Sequence, residues 1–481
     1  MTARAQRTGL TGPRDLAAAP RLSPGTPCLG VPVQFALLAG PLLSMLDSSI
    51  VNLAIEPVAR DLRASLTLVQ WTVSGYLLAL GAGLAGTAFL ARRFGTLPVY
   101  LTSVIAFTAA SALCALAPDA GVLVATRAVQ GLVAAPLVPM AMSMLLGRDT
   151  GAARSISPAA GAMLFLGPAI GPAVGGVLIG TVGWRVIFAV NVPVGVLAAV
   201  AVRSIPPGLA PARRPGVRFD LPGLILFGAG LTGLLLGAGQ GATVGWTDVS
   251  SLVPLVAGVA LTAGYVAWAA HRDQPALDLS LARRPQAILS MGLCALASVV
   301  TWGALFLLPV FVQSAQGRSA LVTGLAMLPQ GLITGLSTAL APRLLTGLTV
   351  RVTVLAGFTL LALASLGLLL IGAASPLWLV AMILAGRSVS IGLVISPLLQ
   401  ALVEPLRPDQ LGDANTLFNA WQRIAASFGI GLIAALYTTQ ARSAGPVAAL
   451  HTAGLVLTAV AVAGALAAVA LPAVRNTALE H

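Results

Sequence analysis

GAMLFLGPAIGPAVGGVLIGTVGWRVIFAVNVPVG, residues Gly161 to Gly195, decides the fold. Its first part is crowded with Gly167, Pro168, Gly171, Pro172, Gly175 and Gly176 in otherwise apolar sequence. Such a stretch would break a helix in water. In a bilayer it is tolerated where a neighbouring helix packs closely and the freed backbone groups find partners. The segment therefore predicts a membrane helix built for contact, ended by an aromatic-arginine turn at Gly183-Trp184-Arg185.

The rest of the chain agrees. Of 481 residues, 57% are hydrophobic and only 9% charged, with mean hydropathy +0.95, whereas soluble domains carry roughly 25% charged residues. This predicts an all-α polytopic membrane protein. The net charge of +13 could suggest nucleic acid on a soluble chain; here every basic residue is an arginine, and most lie between apolar runs. Cys28, Cys114 and Cys294 have no metal-ligand spacing, so neither a disulfide nor a metal is expected. The first 30 residues lack the apolar run of a cleaved signal and read as a disordered cytoplasmic tail.

A bilayer span needs about 20 apolar residues, and about fourteen runs qualify, from 33–55 to 448–473. With the N-terminus in the cytoplasm, Arg92, Arg93, Arg203, Arg272, Arg284, Arg351, Arg407 and Arg475 all fall inside. The positive-inside rule then puts both termini in the cytoplasm. Polar linkers at 204–220 and 271–286 bracket a helix pair, 221–270, between a six-helix bundle at 31–203 and another at 287–474, with a short tail at 475–481. The halves echo one another: Arg127-Ala128-Val129 precedes Pro136 on the fourth helix, as Arg387-Ser388-Val389 precedes Pro397 on its counterpart.

Charges within spans are costly and are functional candidates. Asp47, Arg127, Arg387 and Arg423 are the clear ones, with Glu56 near the outer end of the first helix. Asp47 lies eight residues before that helix ends and Arg127 six after the fourth begins, so both sit about 9–12 Å below the same surface. A carboxylate beside a guanidinium favours its charged form, and one isolated in a dry pocket its protonated form. A helix movement that opens and closes the pair would load and release a proton; a permanent salt bridge locking two helices is the alternative.

These residues resemble the major facilitator superfamily. Gly167, Pro168, Gly171, Pro172, Gly175 and Gly176 are similar to its antiporter motif, which the resemblance makes a gate. Leu46 to Ala54 with Arg60-Asp61-Leu62 resemble its first-helix motif, and Arg127, Gln130 and Gly131 its fourth-helix motif, where the arginine is associated with proton coupling. Gly183-Trp184-Arg185 and Asn191 to Gly195 narrow the likeness to the fourteen-helix drug:proton antiporters: two six-helix bundles plus two central helices. Asp47, Arg127 and Glu56 are then the proton-coupling candidates, and Asn52, Gln130, Arg387, Asn419, Trp421 and Arg423 the candidates for the substrate cavity or transport.

Three positions depart from the family pattern. Glu56 stands where proline is usual, with Pro57 one place later; it is either a second titratable group or a solvated charge. Arg92 stands in the loop after helix two where relatives carry an acid of a cytoplasmic charge network, so Asp149 or Asp220 compensates or the balance shifts toward inward-open. Gln422-Arg423 reverses an expected Arg-Gln pair, turning the guanidinium about 100° around the helix. That leaves Arg423 either a substrate residue or a packing one, bonded to a carbonyl or to Asp413.

There is no Walker loop and no catalytic triad, so neither ATP-driven transport nor an enzyme is indicated. The reading is a proton-coupled antiporter that exports small apolar or amphipathic compounds across the bacterial inner membrane by alternating access. The alternatives are a non-transporting receptor or scaffold on the same fold and a proton-coupled importer. Its partners are a small-molecule substrate, protons as the coupling ion and the lipid bilayer, with no nucleic acid and no cofactor; the chain acts as a monomer.

Overall fold

The computed structural model describes residues 30–146, 171–206, 220–272, 275, 284–344, 347–406 and 411–473. Polar residues between the apolar runs start several helices by capping free N–H groups: Asp119 accepts from Val122, Asp220 from Gly223, Asp248 from Ser250 and Thr349 from Val352. The apolar runs between them become helices because every backbone group in a bilayer must be bonded internally.

In chain order the helices are α1 (Val31–Asp61), α2 (Trp71–Phe94), α3 (Thr96–Ala115) and α4 (Ala120–Ala134, continued by Leu137–Leu146). Pro136 separates the two pieces of α4, since proline lacks the N–H an unbroken helix needs. Then come α5 (Gly171–Thr181), α6 (Val186–Ala189, continued by Asn191–Ala201), α7 (Leu221–Val244) and α8 (Val249–Ala270). The second half holds α9 (Pro285–Ser314), α10 (Ala320–Leu344), α11 (Val350–Leu366), α12 (Leu377–Val403), α13 (Leu411–Ala444) and α14 (Pro446–Ala468). Among the described residues thirteen helical spans are long and apolar enough to cross a membrane. The fourteenth of the sequence reading is α5, of which only the second half is described; Gly167 and Pro168 lie outside the described residues, as do Cys28, Asp149 and both tails.

Helices α1 to α6 pack on one another, as do α9 to α14. The two groups meet where α2 lies along α13 and where α1 touches α9 and α10. Helices α7 and α8 form an antiparallel pair, and α7 lies against both α2 and α13. A separate cluster, with Leu78, Phe227, Leu231 and Tyr265, fastens it there. Successive helices alternate in direction, so Arg92, Arg93, Arg203, Arg272, Arg284, Arg343 and Arg351 come to one face, the richer in arginine among the described residues, and Arg60, Arg63, Arg185, Arg318 and Arg442 to the other.

On that second face the aromatic-arginine turn clamps the end of α1. Trp184 Nε1 and Arg185 Nη1 donate to Asp61 Oδ2 at 2.8 and 2.6 Å, and Arg185 Nη2 reaches the Ala117 carbonyl at 3.2 Å.

A buried ion pair beside a central cavity

Asp47 and Arg127 meet in the interior of the first bundle, with Arg127 Nη1 donating to Asp47 Oδ2 at 2.5 Å. Equal depth on antiparallel helices brings them level, and Gly131 sets α4 close against α2. A Cβ at Gly131 would overlap the Tyr76 carbonyl, so only glycine lets α4 approach α2 this closely. Arg127 Nε then donates to the Thr72 carbonyl at 2.9 Å, and the guanidinium lies 4.1 Å from the centre of the Tyr76 ring. Phe188 covers it at 5.6 Å.

Polar side chains from α3, α4 and α6 complete the surround. Arg127 Nη1 also donates to Gln130 Oε1 at 2.7 Å, and Gln130 Nε2 donates to Ser111 Oγ at 2.6 Å. Asn191 Nδ2 donates to Asp47 Oδ1 at 3.2 Å and to Ser111 Oγ at 3.1 Å. Gln130 was assigned to the cavity from the sequence; here it is fully buried behind the ion pair and orients it. Asn191 drew attention only as part of a loop signature, and it is the contact that sequence reasoning missed. An asparagine opening an apolar helix was its one signal.

A cavity of about 420 Å³ lies between the two bundles. Its walls are mainly apolar, with Trp302, Leu305 and Met327 among them, interrupted by Ser44, Ser48, Gln330, Ser390, Asn419 and Gln422. It extends to Met142 and to the exposed Asn415, toward the arginine-rich face. Asp47 and Arg127 do not line it. Ser44 does, and its Oγ lies 3.0 Å from the hydroxyl of Tyr76, the residue whose ring covers Arg127. One hydroxyl pair thus connects the cavity to the ion pair.

The remaining candidates separate. Arg423 lines the cavity with its guanidinium 5.7 Å from the centre of the Trp302 ring. Gln422 lines it too, so the reversed pair moves the charge along the wall without removing it. Asn419 also lines it and donates to the carbonyl and Oδ1 of Asn415. Trp421 does not: it packs on the cluster that holds α7, and its Nε1 donates to the Met291 carbonyl at 2.9 Å. Two residues along a helix is about 200°, which turns Trp421 away from the face that carries Arg423.

Arg387 is likewise absent from the cavity wall. It is buried, donating to Ser365 Oγ at 3.0 Å and to the Val300 carbonyl at 2.5 Å. Asn52 sits buried on α1 and donates to the Ser48 carbonyl at 3.1 Å, a local helix contact. Glu56 pairs with Arg60 one turn on, at 2.9 Å.

On α5, an added Cβ would stand 3.0 Å from Ser49 Oγ at Gly171 and would overlap the Ile50 side chain at Gly175. Gly176 abuts the start of α10, where a Cβ would lie 2.7 Å from the Ala320 carbonyl. The contact is reciprocal, since a Cβ at Gly324 would overlap the carbonyl of Pro172, itself a cavity residue. Gln313 Nε2 adds a bond to the Leu53 carbonyl at 3.1 Å. The contacts of Gly176 with Ala320, of Gly324 with Pro172 and of Gln313 with Leu53 seal the two bundles together on the face opposite the arginine-rich one.

Two helical bundles around a central cavity, with a buried ion pair beside it, define a membrane transporter. The chain matches the Major Facilitator Superfamily over residues 37–430 and belongs to that family. It is 33% identical over 413 residues to a Multidrug resistance protein B homolog of Mycobacterium tuberculosis (strain CDC 1551 / Oshkosh), covering 83% of this chain and 74% of that one. It is 28% identical to the Multidrug export protein EmrB of Escherichia coli (strain K12), covering 84% and 80%. To the Methylenomycin A resistance protein of Streptomyces coelicolor (strain ATCC BAA-471 / A3(2) / M145) it is 30% identical, covering 82% and 83%. A crystal structure of a POT family transporter in complex with a thioalcohol conjugated peptide shares the fold, with TM-score 0.64 at 13% identity, covering 89% of this chain and 94% of that one.

Proposed function

We propose that this protein exports small apolar or amphipathic compounds, drugs or antibiotics, across the bacterial inner membrane in exchange for entering protons. The observation that carries this reading is the Ser44 to Tyr76 link, which joins a substrate-sized cavity to the one deep acid. The names of the relatives, multidrug export and methylenomycin A resistance, favour export.

The positive-inside rule places the arginine-rich face and both termini in the cytoplasm. The cavity then faces the cytoplasm, and the contact of α5 with α10 closes the periplasmic side. In this state Asp47 is ionised and held by Arg127 and Asn191. A proton arriving on Asp47 Oδ2 cancels its charge and weakens its hold on Arg127, loosening α1 from α4. Because α1 carries Ser44 and Ser48 on the cavity wall and Ile50 against α5, its movement reaches both the substrate and the seal. One chain supplies every part of this path, which suits a monomer with the proton as coupling ion.

The test uses compounds to which expression of the protein confers resistance. In inside-out vesicles with an acidified lumen, each should release luminal protons when added, and Asp47→Asn should abolish the release. Compound movement without any proton movement would overturn the coupling, and the absence of both would overturn export.

A further inference from the structure

We propose that the cavity selects amphiphiles bearing a negative charge, with Arg423 as the residue that holds the anionic group. The proposal deepens the export reading and rests on it for the direction of transport.

Arg423 is the one charged side chain among the described residues lining the cavity. Among the described residues it has no counter-ion there. The ion pairs among the described residues are Glu56 with Arg60, Asp47 with Arg127 and Asp61 with Arg185, none of which includes it. Trp302 offers its ring but no charge. A guanidinium stays charged in any protein environment, so this site always presents a cation without its anion.

The surroundings reinforce the sign. Asp47 is already neutralised by Arg127, and the other buried charge, Arg387, is a second cation with no acid beside it among the described residues. A cationic substrate would meet net positive charge, with no carboxylate among the described residues of the wall to receive it. An anion would form a charge-assisted pair with Arg423, with Gln422 and Asn419 on the same wall as further donors. Gln330 and Ser390 add further polar groups to the wall, suited to a hydroxyl or amide elsewhere on the molecule. Trp302, Leu305 and Met327 suit its apolar body.

The test is binding to the purified full-length protein in nanodiscs, followed by tryptophan fluorescence. The probes are naphthalene-2-sulfonate and 2-naphthyltrimethylammonium, similar in body and opposite in charge, each corrected for partition into empty nanodiscs. The sulfonate should bind at least about tenfold more tightly, as one charge-assisted pair implies. Arg423→Gln should abolish that preference and Arg423→Lys should keep most of it. Equal or tighter binding of the ammonium overturns the proposal. So does an unchanged preference in Arg423→Gln, or its loss in Arg423→Lys when that variant remains monodisperse. Selective sulfonate binding without flux in vesicles would leave the proposal standing and count against export; flux that favours the ammonium would do the reverse.

Discussion

The hydroxyl of Tyr76 lies 3.0 Å from that of Ser44, while the ring of the same tyrosine lies over the guanidinium of Arg127. One side chain therefore touches a wall residue of the cavity and the buried ion pair. Tyr76→Phe keeps the ring and removes only the hydroxyl bond, a loss of about 1 kcal/mol. We expect substrate binding within about twofold of the unmodified protein and substrate-induced proton release slowed several-fold. Equal release rates in the vesicle assay would assign Tyr76 to packing alone.

Asp47→Asn should cost stability as well as coupling. It leaves Arg127 buried without a counter-ion, and breaking a buried pair from one side costs on the order of 3–5 kcal/mol. The double variant Asp47→Asn with Arg127→Gln removes the orphaned charge and should recover most of that loss. Thermal unfolding in detergent across the four proteins of the cycle measures the coupling; additive losses would mean that the two residues are energetically independent.

The seal between α5 and α10 gives a test of state. Gly176→Leu and Gly324→Leu each put a side chain where the opposing backbone already lies, so both should part the bundles on that face. In a Ser49→Cys background, a membrane-impermeant maleimide should label the cavity from the cytoplasmic side in the parent and from the outside in the widened variants. Unchanged labelling, with the variants still folded, would reduce α5 to ordinary helix packing.

Exchange of one proton inward for one anion outward moves two charges in the same sense. Each charge is worth about 2.3 kcal/mol per 100 mV, so a membrane potential should drive an anionic substrate by twice that amount. A neutral analogue exchanged for one proton gains half as much. Flux at imposed potassium diffusion potentials, with the pH gradient clamped at zero, should show the steeper dependence for the anion.

Much of the fold was legible because length and depth are one-dimensional. A rise of 1.5 Å per residue fixes height, and so Asp47 and Arg127 could be placed level from their positions in the chain alone. Azimuth was less accessible. A helix that is apolar all round gives no stripe to orient it, and so Asn52, Gln130, Arg387 and Trp421, candidates for the cavity or for transport, could not be told from the wall residues Asn419 and Arg423 by sequence, whereas the structure places them off the wall. Simple arithmetic would have separated one pair: Asn419 and Arg423, four apart, share a face that Trp421 cannot join. Asn191 was harder to find, because its importance arises only where α6 crosses α1 and α3.

Arg387 stands in the second bundle where Arg127 stands in the first, yet among the described residues a carbonyl and a hydroxyl oxygen answer it and no acid does. An arginine cannot give up its proton at any pH a cell reaches. Of these two matching arginines one faces a carboxylate and the other does not, so if Asp47 takes the coupling proton the second half serves as the stator of the machine: energy then enters on one side of the pseudo-twofold axis, and the working stroke belongs to the half that holds Asp47.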